Sequence, residues 1–344
     1  MTDVTLTPWN RRRARPALAA GQRARRAAAV RRAAVLLASA LLVALASSLT
    51  IFTLTYFSTA NPAAQKLGPE ASAADIARLD HLWGLDRPFV TQYLSWLGDA
   101  VTGDFGRSYF TDITVTQSLG QRLPVDVSIM IVAVLLAVAV GSTAGIAAAV
   151  WRRRLPDRLI TASSAFALTV PVFLLGIVLI TLFAVTWHWL PASGYVPIGK
   201  DPYEWLRHVI MPGFALSLLP GAVMARQLRT SLVSALQENY VVGAALRGLS
   251  PRRVLFVHTL RNALGPALAT LGLELPELVG GAVVVETVFG LPGIGRYALQ
   301  GATSHDVPVI QGVLLVTVLF VLVGNLTVDA LQRRLQPTTG QEAP

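Results

Sequence analysis

Six long apolar runs constrain this chain more than any other feature. A helix rising about 1.5 Å per residue needs about 20 apolar residues to cross a hydrocarbon core roughly 30 Å thick. Five uncharged runs reach or approach that length: residues 33–57, 127–150, 160–187, 209–225 and 307–328. A sixth, residues 263–289, is apolar except for Glu274, Glu277 and Glu286. The expected fold is an all-α polytopic membrane protein with six transmembrane helices. Only 14% of the residues are charged, against about 25% in a soluble domain, which argues against a water-soluble enzyme. The first run is too long for a signal peptide, whose apolar part spans about 7 to 15 residues, so it is read as a retained span.

Orientation follows from where Lys and Arg fall, because cytoplasmic loops retain the excess of positive charge. With the N-terminus inside, the cytoplasmic set is residues 1–32 with nine Arg, 151–159 with four, 226–262 with six and the C-terminal tail with two. The opposite face holds the other eight of the 29 cations and eleven of the 19 acids. That split of 21 to eight predicts both termini cytoplasmic and accounts for the net charge of +10 without nucleic acid. Zero cysteines exclude disulfides, thiolate metal sites and cysteine nucleophiles, and five scattered His offer no metal-ligand set.

Two motif-like stretches carry no expected chemistry. Residues 194–200 run from Gly194 to Lys200 with phosphate-loop spacing, yet Asp201 follows where Ser or Thr should hold magnesium, and Pro197 interrupts it. Ser304, His305 and Asp306 are the residue types of a hydrolase triad, but three adjacent side chains diverge instead of converging. No catalytic residue, metal site or cofactor bound by this chain is expected.

Three regions lie outside the apolar runs. Residues 1–32 read as a disordered basic tail attracted to anionic membrane lipid. Residues 58–126 contain Trp83, Tyr93, Trp96, Phe105, Tyr109 and Phe110, too aromatic and too long for an unstructured connection, so this segment is expected to fold. The third, residues 226–262, reads as helix, turn, helix. Residues 231–247 are helix-permissive, Gly248 suits a left-handed C-terminal cap, Ser250 can cap the next helix, and Pro251 fits its first position. Arg252, Arg253 and Arg261 then alternate with Val254, Leu255 and Leu260, giving one face that grips and another that packs.

From Tyr240 through Gly248, Leu249, Ser250, Arg252 and Arg253 to His258, Arg261 and Pro266, this segment resembles the EAA loop of the dipeptide and oligopeptide permease family, the inner-membrane subunits of peptide and nickel ABC importers. The likeness continues through Gly280 to Arg296, Asp306 to Gly312 and Asn325 to Asp329. Upstream it takes in Leu82 to Pro88, Gly103 to Ser108 and Arg122 to Pro124. Val242 and Ala245 stand where relatives usually carry basic residues.

The resemblance implies a type I ABC importer permease fold with a folded extracytoplasmic segment between helices 1 and 2. It divides the chain into a basic tail (1–32), a first helix with its extracytoplasmic segment (33–120), a permease core of five helices (121–335) with the coupling loop at 231–266, and a C-terminal tail (336–344). It implies a bacterial cytoplasmic (inner) membrane location and transport of di- or oligopeptides. The implied partners are a second homologous permease, two ATP-binding subunits that use ATP and Mg, and an extracytoplasmic substrate-binding protein. Tyr240, Ala244, Gly248, Leu249, Ser250, Arg252, Arg253, His258 and Arg261 are the expected ATPase-coupling residues.

A carboxylate inside a span is costly unless it faces a partner or a watery path. Glu274 and Glu277, three residues apart, fall on one face of a helix. Together with Glu286, Asn325 and Asp329 they are candidates to line the translocation path, the alternative being structural pairing. A different class of protein, a secondary transporter or channel acting without an ATPase, would predict inverted repeats, and the first and last three runs show none.

Overall fold

The computed structural model describes residues 8–58 and 61–335, and every long element in them is a helix. Helix α1 (Pro8–Tyr56) leads into three short helices, α2 (Pro62–Leu67), α3 (Ala73–Trp83) and α4 (Phe89–Val101). Then follow α5 (Val115–Val150), α6 (Leu155–Ala167), α7 (Val172–Leu179), extended by a π-helical stretch Ile180–Thr186, and α8 (Pro202–Ala235). The remainder comprises α9 (Asn239–Leu246), α10 (Pro251–Arg253), a π-helical stretch Val254–Thr259, α11 (Leu260–Leu273), α12 (Leu275–Val288), α13 (Ile294–Ser304) and α14 (Val307–Leu335).

Among the described residues, four helices are long and apolar enough to cross a membrane, and two bent helix pairs bring the number to six if each pair is one span. The first pair, α6 with α7, turns through 105° between Ala167 and Val172. The run 160–187 is therefore an elbow instead of a straight rod. Pro171 sits at its corner as the N-cap of α7 with extended backbone, because proline cannot continue the preceding helix. The second pair bends by 49° between α11 and α12, where Glu274 is the N-cap and Pro276 lies in the first turn of the new helix. Pro212, Pro220 and Pro266 lie inside continuous helices.

Residues 8–32 differ from the disordered tail expected of them: α1 begins at Pro8 and continues unbroken into the first span. Alanine and arginine are among the best helix formers, so a stretch built from them extends the helix that follows. The tails 1–7 and 336–344 fall outside the described residues.

Helices α5 and α8 form the centre and run parallel. A side chain at Gly141 would meet the Gly221 carbonyl at 2.8 Å, and one at Gly145 would meet the Ala225 carbonyl at 2.8 Å. Small residues four apart on both helices thus let the two backbones touch. One core cluster joins Ile129 and Met130 to Leu216, Leu278 and Phe289, and a second joins Met224, Leu228 and Leu232 to Ala267 and Leu271.

Residues 61–114 carry three short helices, α2 to α4, and the turns between them. Asn61 caps α2 and Ser72 caps α3, while Gly84 closes α3 in the left-handed conformation. Trp83 stacks on Tyr109 with ring centroids 4.4 Å apart, and Phe89 packs edge-on against Phe52 of α1.

Candidate functional site

The turn around Gly248 forms largely as its residues predict. Gly248 has φ +77°, and the Leu249 amide donates to the Ala244 carbonyl, the closing bond of a Schellman end. Ser250 Oγ accepts from the Arg253 amide at 3.4 Å, and Pro251 occupies the first helical position. Two boundaries differ from expectation. Residues 231–235 belong to α8, and the leading helix α9 starts only at Asn239 after a break at 236–238. The helix after the turn is not a separate short one: backbone runs helically from Pro251 to Leu273. Its π-helical stretch is completed by Thr259, whose hydroxyl donates to the Val254 carbonyl five residues back at 2.9 Å.

Ala244, Val254 and Thr259 are buried beneath this hairpin. Tyr240 accepts at its hydroxyl from Asn262 Nδ2 at 3.4 Å, tying α9 to α11. Gly248, Ser250, Arg252, Arg253, His258 and Arg261 are exposed, and Leu249 is half-buried. Beside them Leu246 is 85% exposed, with Val242, Phe256 and Val257 also exposed. The result is a mixed apolar and cationic face at one end of the bundle, suited to a protein partner.

The intramembrane acids separate. Glu274 is the residue at which α11 ends and α12 begins, and its carbonyl accepts from the Leu278 amide at 3.0 Å, so it stays one helical turn from Glu277 at the start of α12. Glu277 is exposed in the first turn of α12 and lines a cavity of about 220 Å³ with Val170 and Val172 of the elbow and Leu216 and Pro220 of α8. Asn325 and Asp329 are half-buried one turn apart on α14, and Asn325 lies against Gly272 of α11.

Glu286 is fully buried. Its oxygens accept from the Arg296 amide at 2.7 Å and the Gly295 amide at 3.3 Å, and Asp126 accepts from the Ile294 amide at 2.8 Å. Together they satisfy the free amides at the start of α13, where negative groups are favoured. Gly293 and Gly295 are required there by space, since a Cβ at either would press on the Glu286 carboxyl.

Sequence reasoning missed three anchors. Asp126 follows Pro124 at the edge of an apolar run, and nothing nearby in sequence reveals its partner on α12. Asp157 forms a bidentate pair with Arg229 of α8 at 2.5 and 2.8 Å, and accepts from the Arg153 amide. Asp306, 2% exposed, accepts from Ser108 Oγ at 2.6 Å and from the Tyr109 amide, clamping the segment 58–114 to the α13–α14 corner. Burial pushes the Asp306 carboxyl above the ordinary carboxylate range, partly offset by these bonds. The Ser304 hydroxyl instead bonds its own helix, at the Gln300 carbonyl.

These features define a membrane component of a transport system. Residues 141–341 match the family described as the binding-protein-dependent transport system inner membrane component, and residues 29–130 match the N-terminal module of such membrane components. The chain belongs to this family. It is 39% identical over 289 residues to a probable peptide ABC transporter permease protein, y4tP, of Sinorhizobium fredii, covering 83% of this chain and 92% of the relative. It is 37% identical over 291 residues to the glutathione transport system permease protein GsiC of Escherichia coli, covering 84% and 92%. The GsiC protein of Shigella dysenteriae matches to the same extent.

Proposed function

We propose that this chain is the permease subunit of an ATP-driven importer that carries di- or oligopeptides across the cytoplasmic membrane. The observation that carries the reading is the capped turn at Gly248 with its exposed mixed face. ATP hydrolysis belongs to two separate subunits, and this chain converts their closure into movement of helices. The turn is joined without interruption to α11, so a displacement there is delivered along that helix to its bend at Glu274. The α6–α7 elbow and Glu277 border a cavity on the same side of α12, and we assign them to the path shared with a second, homologous permease. Such a cycle is a shift between two states, each favoured by a different partner's contacts.

Both termini are assigned to the cytoplasm, and the segment 58–114 to the outer face, where a binding protein delivers the peptide. The motive is the split of Lys and Arg, 21 to eight. The names of the relatives support a peptide or glutathione cargo. Uptake of a labelled dipeptide into vesicles tests the proposal. It should require this chain, its partner permease, both ATPase subunits and ATP together. Uptake by the chain alone would replace this reading with that of a secondary transporter. Single cysteines at Ser95, Ser193 and Ser234, all exposed, should label from outside, outside and inside respectively.

A further inference from the structure

Helix α4 carries an exposed apolar stripe that neither its own packing nor the transport reading uses. Val90, Leu94 and Val101 are 61, 58 and 82% exposed, and Leu97 between them is half-buried. At positions i, i+4, i+7 and i+11 these four fall on one side of the helix. A neighbouring side is aromatic and already occupied. Phe89 lies against Phe52 and Tyr56 of α1 with ring centroids 5.2 Å apart in each pair, and the Tyr93 hydroxyl shares a 2.8 Å hydrogen bond with Ser48 Oγ. Thr91, Ser95 and Asp99 are exposed on the remaining side, and α4 contains no Lys or Arg.

The level at which α4 sits decides what covers that stripe. Ser48 and Phe52 belong to the apolar helix Ala34–Tyr56, and Ser48 lies eight residues before its end, about 12 Å along the axis. Helix α4 is therefore packed across the outer part of a span and not above it. Over the same turns α1 exposes Leu49, Leu54 and Phe57, as a lipid-facing helix does. Composition selects lipid over a protein partner. The exposed stripe is purely aliphatic, whereas the cores of protein interfaces are enriched in aromatic residues, Met and Arg, and the Phe89 and Tyr93 rings are turned toward α1. A helix lying in a membrane interface has this division, with one side in the acyl boundary and a polar side toward water.

We propose that α4 is an interfacial helix whose Val90, Leu94, Leu97 and Val101 side is seated in the acyl chains of the outer leaflet, with Thr91, Ser95 and Asp99 toward water. The inference rests on the assignment of α1 as a span whose end at Tyr56 faces outward.

The test uses this cysteine-free chain, assembled with thiol-free partner subunits in lipid nanodiscs. A nitroxide is attached at Leu94→Cys, Val101→Cys and Ser95→Cys in turn. Its collisions with oxygen, which concentrates in lipid, and with water-soluble chromium oxalate are read by power-saturation electron paramagnetic resonance. Leu42→Cys, inside the α1 span and 69% exposed, supplies the lipid reference. Positions 94 and 101 should show high oxygen and low chromium collision, as at position 42, and position 95 should show the reverse. High chromium collision at 94 and 101 would place the stripe in water, and low collision with both reagents would place a protein over it. Either result, with position 42 still in lipid, overturns the proposal and leaves the transport reading standing. Chromium access at position 42 would remove the span reading itself, and the proposal with it.

Discussion

Helix α13 and the helix that starts at Pro251 both begin with a cap, but the caps are built from opposite materials. The start of α13 is held by Glu286 from α12 and Asp126 from α5, both reaching it inside the protein. The helix at Pro251 is held by its own neighbour Ser250, at 3.4 Å and in the open. A cap drawn from other helices locks three elements together. A local cap fixes only the direction in which the chain leaves a turn, so the element it starts stays free to move with a partner. One end of the molecule is therefore expected to fail in stability, and the other in coupling.

Glu286→Ala should have the largest effect. It strips the Gly295 and Arg296 amides of their acceptor, a loss of about 1 to 3 kcal/mol for each donor left unsatisfied. The thermal unfolding midpoint in detergent should fall sharply and less complex should be recovered. An unchanged midpoint would show that this end is no more tightly held than the other.

Gly248→Val comes next, and it should separate function from stability. A Cβ at Gly248 meets nothing within 4 Å, so the cost comes from the left-handed backbone alone, about 1 to 2 kcal/mol. Peptide uptake should drop while membrane abundance stays near normal. Wild-type uptake with the ATPase still bound would remove the argument for this turn.

Ser250→Ala should be milder, at most about 1 kcal/mol for an exposed N-cap. It should lower uptake by a small factor without shifting the unfolding midpoint. Asp126→Asn is the smallest expected change. An amide can donate to Glu286 while its oxygen still accepts from Ile294, so stability should fall by less than about 1.5 kcal/mol and the midpoint should shift little. A loss as large as that of Glu286→Ala would mean that Asp126 needs its charge.

The local signals in the chain proved sufficient wherever the physics is local. Run length set the apolar helices, because bilayer thickness imposes a minimum. Gly248, Ser250 and Pro251 set the turn, because a left-handed residue, a hydroxyl acceptor and a missing amide act within a few residues of themselves. The same reasoning put Glu274 and Glu277 on one helical face, which they keep as the N-cap and first turn of α12, but it did not foresee the 49° bend at that cap.

Other features were settled only by the tertiary structure. The sequence alone determined that this is a helical membrane protein with a capped loop. It left open that Glu286 faces Asp126, 160 residues away, that Asp157 meets Arg229, and that Asp306 reaches Ser108. A carboxylate in an apolar run must find a partner, but the choice depends on which helices pack together, and no residue-by-residue propensity contains that. The close contact of α5 and α8, where glycine and alanine four apart let backbone touch backbone, is one such packing choice.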